Sequence, residues 1–112
     1  MSSRAEQLKT RKPELVADLA LYSTAQGGRQ SPIRLGWGCP CCLAKTELVE
    51  GWDGYPLLGH QELKPGEIRK AVGFVFLSGM EAASKFRAAG KFYLWEGRFI
   101  GEAIVQSADT SN

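Results

Sequence analysis

The sequence lacks a long apolar run. No stretch approaches the roughly 18 apolar residues that a transmembrane helix requires. Residues 1–9 also hold no apolar segment of the kind that signal peptides carry. These two absences predict a cytoplasmic protein that has no membrane partner.

Cysteine and histidine are scarce. The chain has three cysteines and one histidine, and all the cysteines lie within positions 39–42. An odd number of cysteines packed so closely cannot form a distributed disulfide framework, so we expect reduced thiols. Any acid–base or Cys–His nucleophilic scheme would have to use His60, because there is no other histidine.

Catalytic motifs are missing as well. The chain has no G-x-x-x-x-G-K-[ST] phosphate loop, because Gly90-Lys91 is followed by Phe92 and lacks the upstream glycine. Neither G-x-S-x-G nor H-E-x-x-H occurs. The sequence therefore predicts no enzyme activity, no cofactor and no bound nucleotide.

A net positive charge is found at only one end of the chain. Residues 1–12 carry four basic residues against one acid, a net charge of +3, whereas the remaining 100 residues carry 10 basic and 11 acidic residues, a net charge of −1. Proteins that depend on phosphate contacts need clustered Lys and Arg. Any RNA binding is therefore expected to be weak and to depend on Arg4, Lys9, Arg11 and Lys12.

The length and composition are those of one ordinary globular domain. The chain has 112 residues, of which 44% are hydrophobic and 23% charged. We interpret residues 1–13 as a basic arm or short helix that Pro13 ends, residues 14–106 as the folded domain and residues 107–112 as a polar tail.

Short apolar segments separated by turn residues indicate an all-β domain. Residues 15–22 alternate between two faces, and residues 71–77 are apolar throughout, which is typical of a buried strand. Residues 92–95 and 99–105 predict a hairpin. The expected core positions, either themselves or their immediate strand neighbours, are Leu19, Leu21, Val72, Phe74, Phe76, Phe92, Leu94 and Ile104.

Turn and helix signals lie between these segments. Residues 80–89 are strong helix formers that end at Gly90, where a left-handed cap is expected. Residues 51–67 have the densest turn chemistry and predict a loop. Paired glycines after the first strand predict a hairpin turn in which Gly28 takes a positive φ. The residues expected in turns are Gly27, Gly28, Pro65, Gly66 and Gly97.

The ordered turn motifs resemble the C-terminal barrel domain of the EF-Tu family of translation factors. After the first strand come a Gly-Gly-Arg turn, a proline and a Gly-aromatic pair, namely Gly27, Gly28, Arg29, Pro32, Gly36 and Trp37. A Pro-Gly-acid turn follows at residues 65–67, and residues 90–105 are similar to the last hairpin of the family. The resemblance covers roughly residues 14–106.

The resemblance implies a six-stranded antiparallel Greek-key barrel. The chain departs from the family in a short helix inserted at residues 80–89 and in the absence of the GTPase module. The resemblance also implies contacts with protein partners, which would make the chain a binding module. Where the family carries a glutamine and aromatics that face RNA, this chain has Cys41, Cys42 and Leu43. This departure weighs against transfer of aminoacyl-tRNA binding.

Three candidate chemistries remain open. The first is protein–protein contact, for which the candidate residues are Arg29, Arg34, Trp37, Trp52 and Arg98. The second is RNA binding with the basic arm as a further contact. The third is a zinc or thiol-redox site, for which the candidate residues are Cys39, Cys41, Cys42 and His60. They provide the three thiols and one imidazole of a zinc site, but their spacing is unlike that of structural zinc sites.

Overall fold

Strands make up most of the regular structure. The computed structural model of the protein describes residues 3–46 and 51–106. Within these ranges no helix is long and apolar enough to cross a membrane. The helices are α1 (Arg4–Lys9) and α2 (Met80–Ala89), with a 3-10 turn at Thr24–Gln26, and the strands are β1 (Leu15–Leu21), β2 (Cys39–Cys42), β3 (Gly51–Leu57), β4 (Ile68–Phe76), β5 (Lys91–Trp95) and β6 (Phe99–Val105). The polar tail expected at residues 107–112 lies outside the described residues.

The strands close into a barrel. Their order around it is β1-β4-β3-β2-β5-β6, and each pair of neighbours is antiparallel. Three consecutive strands, β2 to β4, lie side by side, and β1 lies beside β4 after a long connection, which is a Greek-key order. The predicted six-stranded antiparallel barrel with a short N-terminal helix and one inserted helix is confirmed.

The barrel interior follows from the alternation in β1. Residues Leu15, Ala17, Leu19 and Leu21 are buried at every second position, because successive side chains of a strand point to opposite faces. Phe92 packs edge-on against Phe74, with ring centroids 5.1 Å apart. Seven of the eight expected core residues are buried, and the eighth, Ile104, is 46% exposed while its neighbour Ala103 fills the interior position.

The inserted helix covers part of this core. In α2 the side chains of Ala82, Ala83 and Phe86 are buried, at the spacing that puts them on one helix face. The ring of Phe86 stacks on that of Phe92 at a centroid distance of 4.5 Å. Gly90 ends the helix with a φ of +81°, and its N–H donates to the carbonyl of Phe86, as the sequence predicts.

The prediction of a loop over residues 51–67 was wrong in its first half, which is β3. The glycines there serve close packing rather than turning. A Cβ on Gly54 would lie 2.7 Å from the Sγ atom of Cys41 and 2.8 Å from a ring atom of Phe76, so only glycine fits between these side chains. Residues 58–67 are the actual connection, and Gly66 there has the positive φ of a turn, +88°.

The predicted hairpin at Gly27-Gly28 was also wrong. β1 pairs with β4 and β6, not with β2, and a 3-10 turn follows it. Gly27 rather than Gly28 has the positive φ, +95°. Gly28 is required for a different reason, since a Cβ there would lie 2.2 Å from the carbonyl oxygen of Tyr22. The turn at Gly97 does have a positive φ, +75°.

Gly28→Val should lower the free energy of unfolding by about 1–3 kcal/mol, the usual cost of forcing atoms into filled space. Chemical denaturation measures the change. Gln30→Val is the matched control, because Gln30 is exposed and should change stability by less than about 0.5 kcal/mol. Equal stability of the two variants would contradict the close approach of Gly28 to Tyr22.

A β-bulge lies where β1 meets β4. The register shifts between Ala17 and Leu19, and opposite them Ala71 has a φ of +56°, the one positive φ of a non-glycine residue in the described ranges. The Oδ1 atom of Asp18 accepts a hydrogen bond from the Ala71 N–H at 3.0 Å and another from the Gln106 side chain at 2.9 Å. These bonds, led by the backbone bond from Ala71, lower the pKa of Asp18 below its usual 3.8.

Asp18→Asn should destabilise the protein at neutral pH by about 1 kcal/mol, because the hydrogen bonds then lack a charged acceptor. A depressed carboxyl pKa gives stability that is present above pH 3.8 and is lost as the pH falls through the folded-state value. The stability difference from wild type should therefore shrink in acid. Asp53→Asn, at an exposed position, is the control, and a difference that does not change with pH would be inconsistent with this role.

Candidate functional site

Arg29, Trp37 and Glu96 form a cluster at one end of the barrel. The Trp37 Nε1 donates to the Glu96 carboxylate at 3.1 Å, and the Arg29 Nε lies 3.3 Å from the other oxygen of the same carboxylate. The Arg29 guanidinium also lies over the Trp37 ring, 5.3 Å from its centroid. One carboxylate thus holds both side chains in fixed orientations.

Arg98 extends this cluster. Its Nη1 atom lies 3.4 Å from the Gly27 carbonyl oxygen, and its side chain lines a hollow of about 230 Å³ together with Arg29 and Ser31. The Arg29 Nη1 atom is buried and has no hydrogen-bond acceptor among the described residues. We call Arg29, Trp37, Glu96 and Arg98 the arginine–tryptophan cluster.

The two other candidate binding residues lie elsewhere. Arg34 is exposed, and its Nε atom is 3.0 Å from the Glu62 carboxylate. Trp52 packs against the core, edge-on to Phe86 at a centroid distance of 5.6 Å. The structure therefore brings together three of the five predicted residues, Arg29, Trp37 and Arg98.

The cysteines lie in β2 and are all buried and unpaired. Cys39 and Cys41 face the core cluster, whereas Cys42 does not, which is the alternation expected of an extended segment. Burial raises the pKa of Cys41 well above that of a free thiol and that of Cys42 from 9.0 to about 11. Both thiols are therefore protonated at neutral pH, which disfavours nucleophilic or redox chemistry.

His60 lies in a different element from these thiols. It is exposed in the connection between β3 and β4, where it lines a cleft with Lys9 and Arg34. Over the described residues, no group of three or more His, Cys, Asp or Glu side chains is arranged to hold a metal ion. The four candidate zinc ligands are thus divided between β2 and a surface loop.

A cleft beside α1 was not predicted from the sequence. It has a basic part of about 670 Å³ and an adjoining part of about 380 Å³. Five cationic residues line the two parts against two carboxylates, so positive charge is not confined to the N-terminal arm. We call this surface the α1 cleft, and its charged lining residues are Lys9, Arg11, Arg34, Lys64, Arg69, Glu62 and Glu67.

Two contacts build the α1 cleft. Leu8, the one large apolar residue of α1, is buried and attaches the helix to the barrel. An isolated antiparallel β-bridge between Ile33 and Leu63 sets Arg34 opposite Glu62, with which it forms an ion pair. The isolated leucine in a polar arm was the available sequence signal for a docked helix rather than a free one.

Comparison of the chain with protein-family models and with curated protein sequences finds no match. Function therefore has to be argued from the site itself.

The thiols of the folded protein should react slowly with Ellman's reagent at neutral pH. The rise in the pKa of Cys42 from 9.0 to about 11 lowers its thiolate fraction about a hundredfold, and burial blocks access to all three thiols. In denaturant all three thiols should react at once. Rapid reaction of one thiol in the native protein would contradict the conclusion that the cysteines are unreactive and would favour a thiol-redox function.

Proposed function

We propose that this protein is a non-catalytic binding module of the EF-Tu C-terminal type and that its partner is another protein. The arginine–tryptophan cluster carries the proposal. The closed six-stranded barrel is the architecture that the resemblance implies, and the ordered turn motifs at residues 27–37, 65–67 and 90–105 support the same assignment.

The chemistry of the cluster suits a protein interface. Trp and Arg are the residue types most often found at binding hot spots, because each offers a large contact area with a polar group. Here the Glu96 carboxylate holds Trp37 and Arg29 in place before any partner arrives, which reduces the entropy lost on binding. The adjacent Arg98, which is exposed and lines the same hollow, favours a partner that presents carboxylate or carbonyl oxygens.

RNA binding is the second candidate function, and the α1 cleft is the observation that favours it. Lys9, Arg34 and Lys64 lie around one concave surface and could contact phosphates. The net charge of −1 over residues 13–112 argues that such contacts would be few. Protein binding therefore remains our first proposal.

The test is capture from native lysate with the tagged full chain as bait, in RNase-treated and untreated halves. A specific protein should be retained in both halves, and Arg98→Glu should reduce its recovery about tenfold or more, the scale of a hot-spot loss. Lys85→Glu is the control, since it makes the same charge change at an exposed position on α2. The proposal would be overturned if the partner were retained only in the untreated half, or if Arg98→Glu left its recovery unchanged.

A further inference from the structure

The α1 cleft combines opposite chemistries on one concave surface. Its smaller part is lined by the apolar side chains Leu8, Leu35 and Leu57. Its larger part is lined by four cationic side chains, two carboxylates and five neutral residues. The two parts share Lys9 and Leu35, so a ligand extended along the cleft would meet both.

Several charged side chains in the cleft already have hydrogen-bond or ion-pair partners. Arg69 donates to the carbonyls of Gln61 and Glu62, each at 2.8 Å, and so braces the loop. Glu62 pairs with Arg34, and the Glu67 carboxylate accepts the backbone N–H of Lys64 at 2.8 Å.

Two cations remain for a ligand. Among the described residues, the ammonium groups of Lys9 and Lys64 have no acidic partner within ion-pair distance, and both side chains are exposed. Glu67 keeps its negative charge, but the five cations that line the cleft outnumber its two carboxylates, so the net charge of the cleft is positive. Charge complementarity therefore selects an anionic ligand.

We propose that the α1 cleft binds a short acidic segment of a partner protein, with carboxylates at Lys9 and Lys64 and one apolar side chain against Leu8, Leu35 and Leu57. The inference rests on the proposed function, because it specifies the chemistry of the protein partner. It adds a second contact surface to the arginine–tryptophan cluster.

Nucleic acid fits this cleft less well. Proteins that bind single strands stack bases on aromatic side chains, and none of the described lining residues is Phe, Tyr or Trp. The apolar part made by Leu8, Leu35 and Leu57 has no counterpart in a sugar–phosphate backbone. Two free lysines would also neutralise few phosphates.

The experiment follows amide chemical shifts of the labelled full chain during titration with three probes. The first is a five-residue peptide with a central leucine flanked by two aspartates and two glutamates. The second replaces that leucine with serine, and the third is a six-nucleotide single-stranded RNA. The leucine peptide should shift amides of Lys9, Leu35, Gly59, His60 and Lys64 saturably, and the serine peptide should bind about tenfold more weakly because it buries no apolar side chain.

Single charge reversals locate the contacts. Lys9→Glu and Lys64→Glu should each weaken binding of the leucine peptide about fivefold, which is near the upper end of the contribution of one exposed ion pair. Lys85→Glu, on α2 and outside the cleft, should leave it unchanged, and spectral dispersion confirms that each variant is folded.

Absence of saturable shifts, tighter binding of the RNA at the same amides, or equal affinity in the lysine variants and the control would each overturn the inference. None of these results would remove the proposed function, since capture that depends on Arg98 tests the other surface.

Discussion

Closure of the sheet by β1 is the constraint on which the rest of the structure depends. β1 pairs with β4 along one edge and with β6 along the other, so no sheet edge remains open between them. Its inward side chains meet the rings of Phe74, Phe86 and Phe92 in one core. Loss of this strand would expose both the core and two unpaired edges.

The same closure assembles the candidate site. Leu21 at the end of β1 pairs with Gly101 in β6, and the Tyr22 N–H donates to the Ile100 carbonyl at 2.9 Å. The connection that leaves β1 therefore starts beside the turn between β5 and β6. This register sets Arg29 and Trp37 against Glu96, although about 60 residues separate them along the chain. Barrel topology thus determines which side chains form the arginine–tryptophan cluster.

Sequence patterns predicted those elements whose signal is local. The alternation in β1, the apolar run in β4 and the cap at Gly90 all correspond to the observed structure. β3 was not predicted because it contains Gly54, and glycine in a sequence usually indicates a turn. Here the glycine is needed so that the strand can lie close to Cys41 and Phe76. The hairpin at Gly27-Gly28 was wrong because β1 finds its partners far away in the sequence.

The sequence predicted which residue types form the candidate site but not which of them lie together. Arg29, Trp37 and Arg98 were identifiable as candidate binding residues because each is an arginine or a tryptophan near a predicted turn. That they lie together in space depends on the strand register, which the sequence pattern does not show. The α1 cleft was not predicted, since it requires Leu8 to dock the helix and Ile33 to bridge Leu63, and the isolated Leu8 in a polar arm was its one sequence signal. Neither contact leaves a periodic pattern in the sequence.

Amide hydrogen exchange on the purified protein, alone and in complex with its captured partner, tests the central claim most directly. If the arginine–tryptophan cluster is the binding surface, exchange should slow on complex formation at residues 27–37 and 96–98 and stay unchanged along α2. Unaltered exchange at both of those segments, with protection elsewhere on the barrel, would contradict the account.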